Sequence, residues 1–138
     1  MNMTHKKEEV VVKPYLLNIS NHPSSGWTDK QIMAARRDYR AIIDFSFPNV
    51  DPELDEEGVR QLAEKTIFDI LWHLPERSEA LVAHVMGEMS LVYQMVNLLE
   101  SKNITCICST TKRIVEVLPN GQKLSKFEFV RFRPYVAK

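Results

Sequence analysis

Four short apolar runs, the first three each followed by a segment of helical periodicity, leave this chain few architectures to choose from. The runs are Tyr15-Leu16-Leu17-Asn18-Ile19, Ala41-Ile42-Ile43-Asp44-Phe45, Leu81-Val82-Ala83-His84-Val85-Met86 and Ile104 to Cys108. Pro14 removes a ladder donor, so the first strand begins after it. Between the runs, Thr28 offers an N-cap and Gln31 completes a capping box, and Ile32, Ala35 and Tyr39 then recur at helical spacing, predicting a helix from Asp29 to about Tyr39. Asp55, Glu56 and Glu57 suit the start of a second helix, whose stripe runs from Val59 through Ala63, Ile67 and Ile70 to Leu74 and stops at Pro75. Phe68 and Trp72 stand one turn apart beside that stripe. Leu91, Val92, Met95, Leu98 and Leu99 carry a third helix, which Asn103 can cap. Strands alternating with helices predict parallel βαβ units, with the second run covered on both faces. The period then changes: Arg113 to Leu118 and Lys123 to Arg133 flank Pro119-Asn120-Gly121-Gln122, a hairpin signal. The expected fold is a three-layer α/β domain with a mostly parallel sheet and a C-terminal β-hairpin, spanning residues 10–138 after a polar tail at 1–9.

A chain of 138 residues with 44% hydrophobic and 26% charged residues is ordinary globular material for one core. Eighteen Lys plus Arg balance eighteen Asp plus Glu, so no bulk charge draws it to a long nucleic acid or an anionic membrane, and any anion site must be local. Cys106 and Cys108 are its two cysteines, read as buried thiols of a reducing cytoplasm; no CxxC or HxxxH spacing supports a metal site. Neither a signal-peptide core nor a run of about 20 apolar residues is visible, so a cytoplasmic protein is expected.

Ligands of open parallel sheets bind outside the carboxyl ends of the strands. Those ends carry Asn18, Ser20, Asn21, His22, Ser24 and Ser25 after the first strand, Asp44 and Ser46 at the second, Gly87, Glu88 and Ser90 after the third, and Ser109, Thr110, Thr111, Lys112 and Arg113 after the fourth. Hydroxyls, amides and backbone N–H groups at three of the four ends suit phosphate or ribose oxygens. GxGxxG, GxxxxGK[ST] and GxSxG are all missing, which disfavours a standard dinucleotide site, a Walker ATPase and an esterase elbow. No cofactor is implied. His22 can exchange a proton near neutral pH, Glu88 reads as a helix N-terminal charge, and His84, inside an apolar strand, reads as a satisfied core or interface residue. In the last strand, alternation places Phe127, Phe129, Arg131 and Arg133 on one side and Glu128, Val130 and Phe132 on the other.

The succession of βαβ strands and a terminal hairpin, with Asn18-Ile19-Ser20-Asn21-His22-Pro23-Ser24-Ser25 after the first strand and Ser109-Thr110-Thr111-Lys112-Arg113 after the fourth, resembles a CARF domain, the Rossmann-like sensor of CRISPR systems. It is also similar to small stand-alone CRISPR-associated proteins, some of which are ring nucleases. The resemblance spans about Tyr15 to Tyr135, and it departs from the family in running the fourth strand almost directly into the hairpin. It implies a homodimer that binds cyclic oligoadenylate or another small nucleotide. The two matching segments would place Ser20, Asn21, Ser24, Ser25, Ser109, Thr110 and Thr111 against the ligand, and Gly87, Glu88 and Lys112 are added to that lining from their positions at the same strand ends. For cleavage, it implies attack of a ribose 2′-hydroxyl on phosphorus without metal, with Arg113 on the phosphate and His22 moving a proton. Two other readings compete: a small Rossmann-like enzyme acting on a mononucleotide or sugar phosphate, and an interaction module docking through Phe68, Trp72 and the hairpin.

Overall fold

The structure is a computed structural model and describes residues 12–74 and 80–138. The expected polar tail at 1–9 and the helix stop at Pro75 lie outside the described residues. Among the described residues, five strands and three helices follow in the order β1 (Tyr15–Ser20), α1 (Asp29–Asp38), β2 (Ile42–Ser46), α2 (Glu56–Trp72), β3 (Leu81–Val85), α3 (Met89–Ser101), β4 (Thr105–Val117) and β5 (Lys123–Pro134), with a 3-10 turn at Ser24–Gly26. The strands form one sheet in the order β2-β1-β3-β4-β5, parallel except for the antiparallel β4–β5 pair. This is the expected mostly parallel α/β sheet with a C-terminal hairpin, consistent with a Rossmann-like fold.

Alternation along the strands sorts the core into two layers. Leu17 and Ile19 of β1, Ala83 and Val85 of β3 and Cys106 of β4 are buried against Ala63 and Ile67 of α2 and Leu91, Met95 and Leu99 of α3. The opposite face carries a smaller cluster of Leu16, Ala35 and Ile107, packed by Trp27, Tyr39, Val82 and Phe132, beneath α1. Asn18, Ser20 and His84 share the smaller face.

Caps follow the sequence closely. Thr28 Oγ1 accepts the Gln31 amide, Asp55 accepts the Gly58 amide, and Glu88 accepts the amides of Ser90 and Leu91. Glu88 is therefore held as the N-cap of α3. Asn103 takes a positive φ of 62° just past the end of α3, a conformation that Asn tolerates. The capping box is incomplete, because the Gln31 side chain turns toward Ser109.

Three further expectations are corrected. β2 is an edge strand with half-exposed faces, so its apolar run does not mark a strand covered on both sides. The fourth strand and the first hairpin arm are one continuous strand of 13 residues. Ser109, Thr110, Thr111, Lys112 and Arg113 consequently lie within a β-ladder, opposite Phe132, Arg131, Phe129, Glu128 and Phe127, and not in a loop. Finally, a bulge between Thr110 and Thr111 leaves Val130 without a register partner. That extra residue resets the alternation, and Phe129 and Phe132 pack together with ring centroids 4.9 Å apart instead of pointing to opposite sides. Asn120 and Gly121 make the hairpin turn as expected, Gly121 at φ 84°.

Gly87, two residues past β3, lies against the ring of Phe47, and a Cβ placed there would lie 2.4 Å from that ring. Phe47 is buried in the larger core and has little room to retreat. Gly87→Ala is expected to lose about 1–3 kcal/mol in urea unfolding, and Phe47→Leu in the same chain to recover part of the loss.

Candidate polar centre at the strand switch point

β1 connects to β2 on one side of it, whereas β3 lies on the other, so the chain reverses its direction across the sheet between β1 and β3. In open α/β sheets this crevice, at the carboxyl ends of the strands, is where ligands bind. Asn18 and His84 are register partners across it. They are 1% and 2% exposed, so each polar atom there needs a partner.

The network can be followed atom by atom. Asn18 Nδ2 donates to Asp44 Oδ1 at 2.8 Å and to the His22 carbonyl at 2.9 Å. Both of those partners can only accept, which fixes the orientation of the amide. Asn18 Oδ1 therefore faces Ser20 Oγ at 2.8 Å and His84 Nδ1 at 2.9 Å. An amide oxygen cannot donate, so His84 Nδ1 carries the hydrogen and Nε2 is left as an acceptor. Ser109 Oγ lies 2.7 Å from Nε2 and donates to it, while Gln31 Nε2 donates to Ser109 Oγ at 3.1 Å. The result is a directed chain from the Asp44 carboxylate through Asn18 and His84 to the Ser109 hydroxyl.

The surroundings hold the chain in place. Trp27 and Phe132 present their rings to His84 in edge contacts at 5.3 and 5.7 Å, and Trp27 Nε1 donates to the His22 carbonyl at 3.0 Å. The Ser24 amide and hydroxyl donate to the two oxygens of Asp44 at 3.0 and 2.7 Å. Burial alone would raise the Asp44 carboxyl, but the hydrogen bonds from Asn18 and Ser24 outweigh it and hold it below its usual value. Burial, with a smaller contribution from the charge on His22, pushes the His84 imidazole down from 6.5 to about 4. His84 is neutral at physiological pH.

The residues expected at the site divide into three groups. Ser20, Ser24 and Ser109 belong to the network, and Ser20, 3% exposed, serves the inside of the first loop rather than its surface. Asn21, His22 and Ser25 are exposed on that loop beside it. The remainder lie apart: Gly87 serves Phe47 packing, Glu88 caps α3, Thr110 Oγ1 bridges to the Arg131 backbone, and Thr111, Lys112 and Arg113 are exposed along the β4–β5 ribbon. Arg113 donates to Ser125 Oγ and stands four residues, roughly 13 Å, along the strand from Ser109. His22 and Arg113 are thus not brought together by any contact among the described residues.

Gln31, which the sequence suggests for a capping box, is a member of the network, and His84 is the satisfied core residue that its strand position suggests, with a link to Ser109 that the position alone does not give. An ionisable residue placed mid-strand, with Asn18 and Ser20 sharing one face of the neighbouring strand, was the available signal. Among the described residues no three His, Cys, Asp or Glu side chains gather as a metal site, and no helix is long and apolar enough to cross a membrane.

This geometry defines an α/β protein with a buried polar relay at its strand switch point. Residues 14–133 match the Uncharacterized protein MJ1673 family, and the chain belongs to that family. A comparison with curated proteins finds no match.

Two outcomes follow from the network. In the unfolded chain His84 titrates near 6.5 and in the folded chain near 4, so as pH falls through this window the unfolded state binds the extra proton. The contribution is present above 6.5 and is lost on acidification: stability should drop by about 2–3 kcal/mol between pH 7 and 4.5 in urea titrations, and a His84→Gln chain should show a smaller drop. Asn18→Ala leaves the buried His84 Nδ1–H without its acceptor, while Ser20 can still donate to the His22 carbonyl, and should cost about 2–4 kcal/mol at pH 7.

Proposed function

We propose that this protein binds a cyclic oligoadenylate messenger at the carboxyl ends of β1 and β3 and the adjoining Ser109 segment of β4, and opens the ring by attack of a ribose 2′-hydroxyl on the neighbouring phosphorus. The observation that carries the reading is the polar relay at the β1/β3 switch point, bordered by the exposed Asn21, His22 and Ser25 and reaching the partly exposed Ser109. The resemblance of these two segments to CARF domains supplies the ligand class. A small ring of phosphates and adenines needs hydroxyls, amides and a few cations, which a chain of zero net charge can offer locally. The first loop would hold the nucleotides nearest the switch point, while Lys112 and Arg113, farther along the ribbon, would meet phosphates on the outer part of the ring. The attack needs alignment, charge stabilisation and a route for one proton, and no resident cofactor. In this reading the protein is a cytoplasmic, homodimeric, CRISPR-associated partner of a messenger pathway in antiviral defence. The free thiols of Cys106 and Cys108 suit a reducing compartment.

Calorimetric titration with cyclic tetra-adenylate, cyclic hexa-adenylate and AMP tests the reading. Binding of one of the rings at one per two chains, with linear products on chromatography, is the expected result. Arg113→Ala should weaken binding about tenfold at low salt and less at high salt. Saturation by AMP at one per chain, with neither ring bound, would favour a mononucleotide enzyme instead.

A further inference from the structure

We propose that Ser109 and His84 are the proton-transfer pair of this site, Ser109 presenting the hydroxyl that meets the ligand and His84 receiving the proton through it. The inference rests on the nucleotide reading above and specifies how that site handles the proton; it moves the role of base from the exposed His22 to a buried histidine. Its basis is the direction of the hydrogen bonds. Asn18, locked by Asp44 and the His22 carbonyl, leaves the unprotonated Nε2 of His84 2.7 Å from Ser109 Oγ. A hydroxyl, a base and a group that fixes the base's tautomer, each within hydrogen-bond reach of the next, form the general arrangement that activates a hydroxyl.

The groups around His84 are few. Trp27 and Phe132 cover its ring, Asn18 and Ser109 take its two nitrogens, His22 adds the nearby charge, and Asp44 stands behind Asn18. No carboxylate touches the imidazole among these contacts. Ser109 is only partly buried, and its oxygen already accepts from Gln31, which keeps the hydroxyl proton aimed at Nε2.

The step balances as follows. The ligand's 2′-hydroxyl passes its proton to Ser109 Oγ as the Ser109 proton moves to His84 Nε2. The 2′-oxygen forms a bond to phosphorus, and the bond from phosphorus to the 5′-oxygen breaks. That 5′-oxygen takes a proton from water, and the imidazolium returns its proton to solvent through Ser109. The products are a 2′,3′-cyclic phosphate and a 5′-hydroxyl, with no oxidant, reductant or second substrate.

Single-turnover cleavage of cyclic tetra- and hexa-adenylate, run beside direct binding, provides the test. Ser109→Ala should lose about 100-fold or more in rate with affinity changed less than about threefold, and Ser109→Thr should restore most of the rate. A wild-type pH profile needs no variant: its acid limb should lie well below the ordinary histidine value of about 6.5, where His84 but not an exposed histidine is still neutral. A Ser109→Ala rate equal to wild type, or an acid limb near 6.5, overturns the assignment while leaving cleavage of the messenger standing. Binding of a ring without cleavage overturns the assignment and the catalytic part of the function together, and failure to bind either ring overturns the nucleotide reading itself.

Discussion

The side-chain amide of Asn18, buried in the middle of a parallel sheet, has two donors and an acceptor that must all find partners away from water. Each group left unpaired would cost about 1–3 kcal/mol, a large share of the stability of a domain this size. Its partners come from four parts of the chain: Asp44 on β2, the His22 carbonyl in the first loop, Ser20 at the end of β1 and His84 on β3. Satisfying one amide therefore fixes the loop path, the relative position of three strands and the tautomer of a histidine. Through that histidine it also orients Ser109 on β4.

The two faces of the sheet differ in the chemistry that holds them. Beneath α2 and α3 the contacts are apolar, from Leu17 and Ile19 through Val85 and Cys106 to Met95 and Leu99, and the free energy there comes from burial. Beneath α1 the apolar cluster is small, and its upper end gives way to the polar relay under Trp27 and Phe132. Low dielectric makes the relay rigid when satisfied and unforgiving when a member is removed. Such a centre needs a firm support on its other side, which the larger core supplies.

Much of the architecture was legible because it depends on local periodicity. The helices over Asp29–Asp38, Glu56–Trp72 and Met89–Ser101 follow from apolar spacing, from the cap at Thr28 and from the N-terminal charges at Asp55 and Glu88, whose capping the structure adds. The extent of β4 was not legible, since the hydroxyl-rich Ser109-Thr110-Thr111 suits a loop as well as an exposed ladder, and only pairing with β5 decides between them. The side on which Phe129 packs was hidden for a related reason: a one-residue bulge inverts alternation, and its position depends on the partner strand. At the site, the polar residues at the end of β1 could be marked from their place at a strand end, and Ser109 from its place after an apolar run that in fact continues as β4, while Gln31 could not, because a helix N-terminal glutamine has the same sequence signature whether it caps or reaches out.

By itself, the sequence determined which segments become strands and helices, the polar character of the strand ends and the absence of bulk charge, all properties of neighbouring residues or of simple sums. Only the tertiary structure decided that Asn18, Asp44, His84 and Ser109, up to 91 positions apart, form one directed chain. Strand order sets which side chains meet across a sheet, and hydrogen-bond direction follows from which atoms can only accept, so neither exists until the strands are side by side.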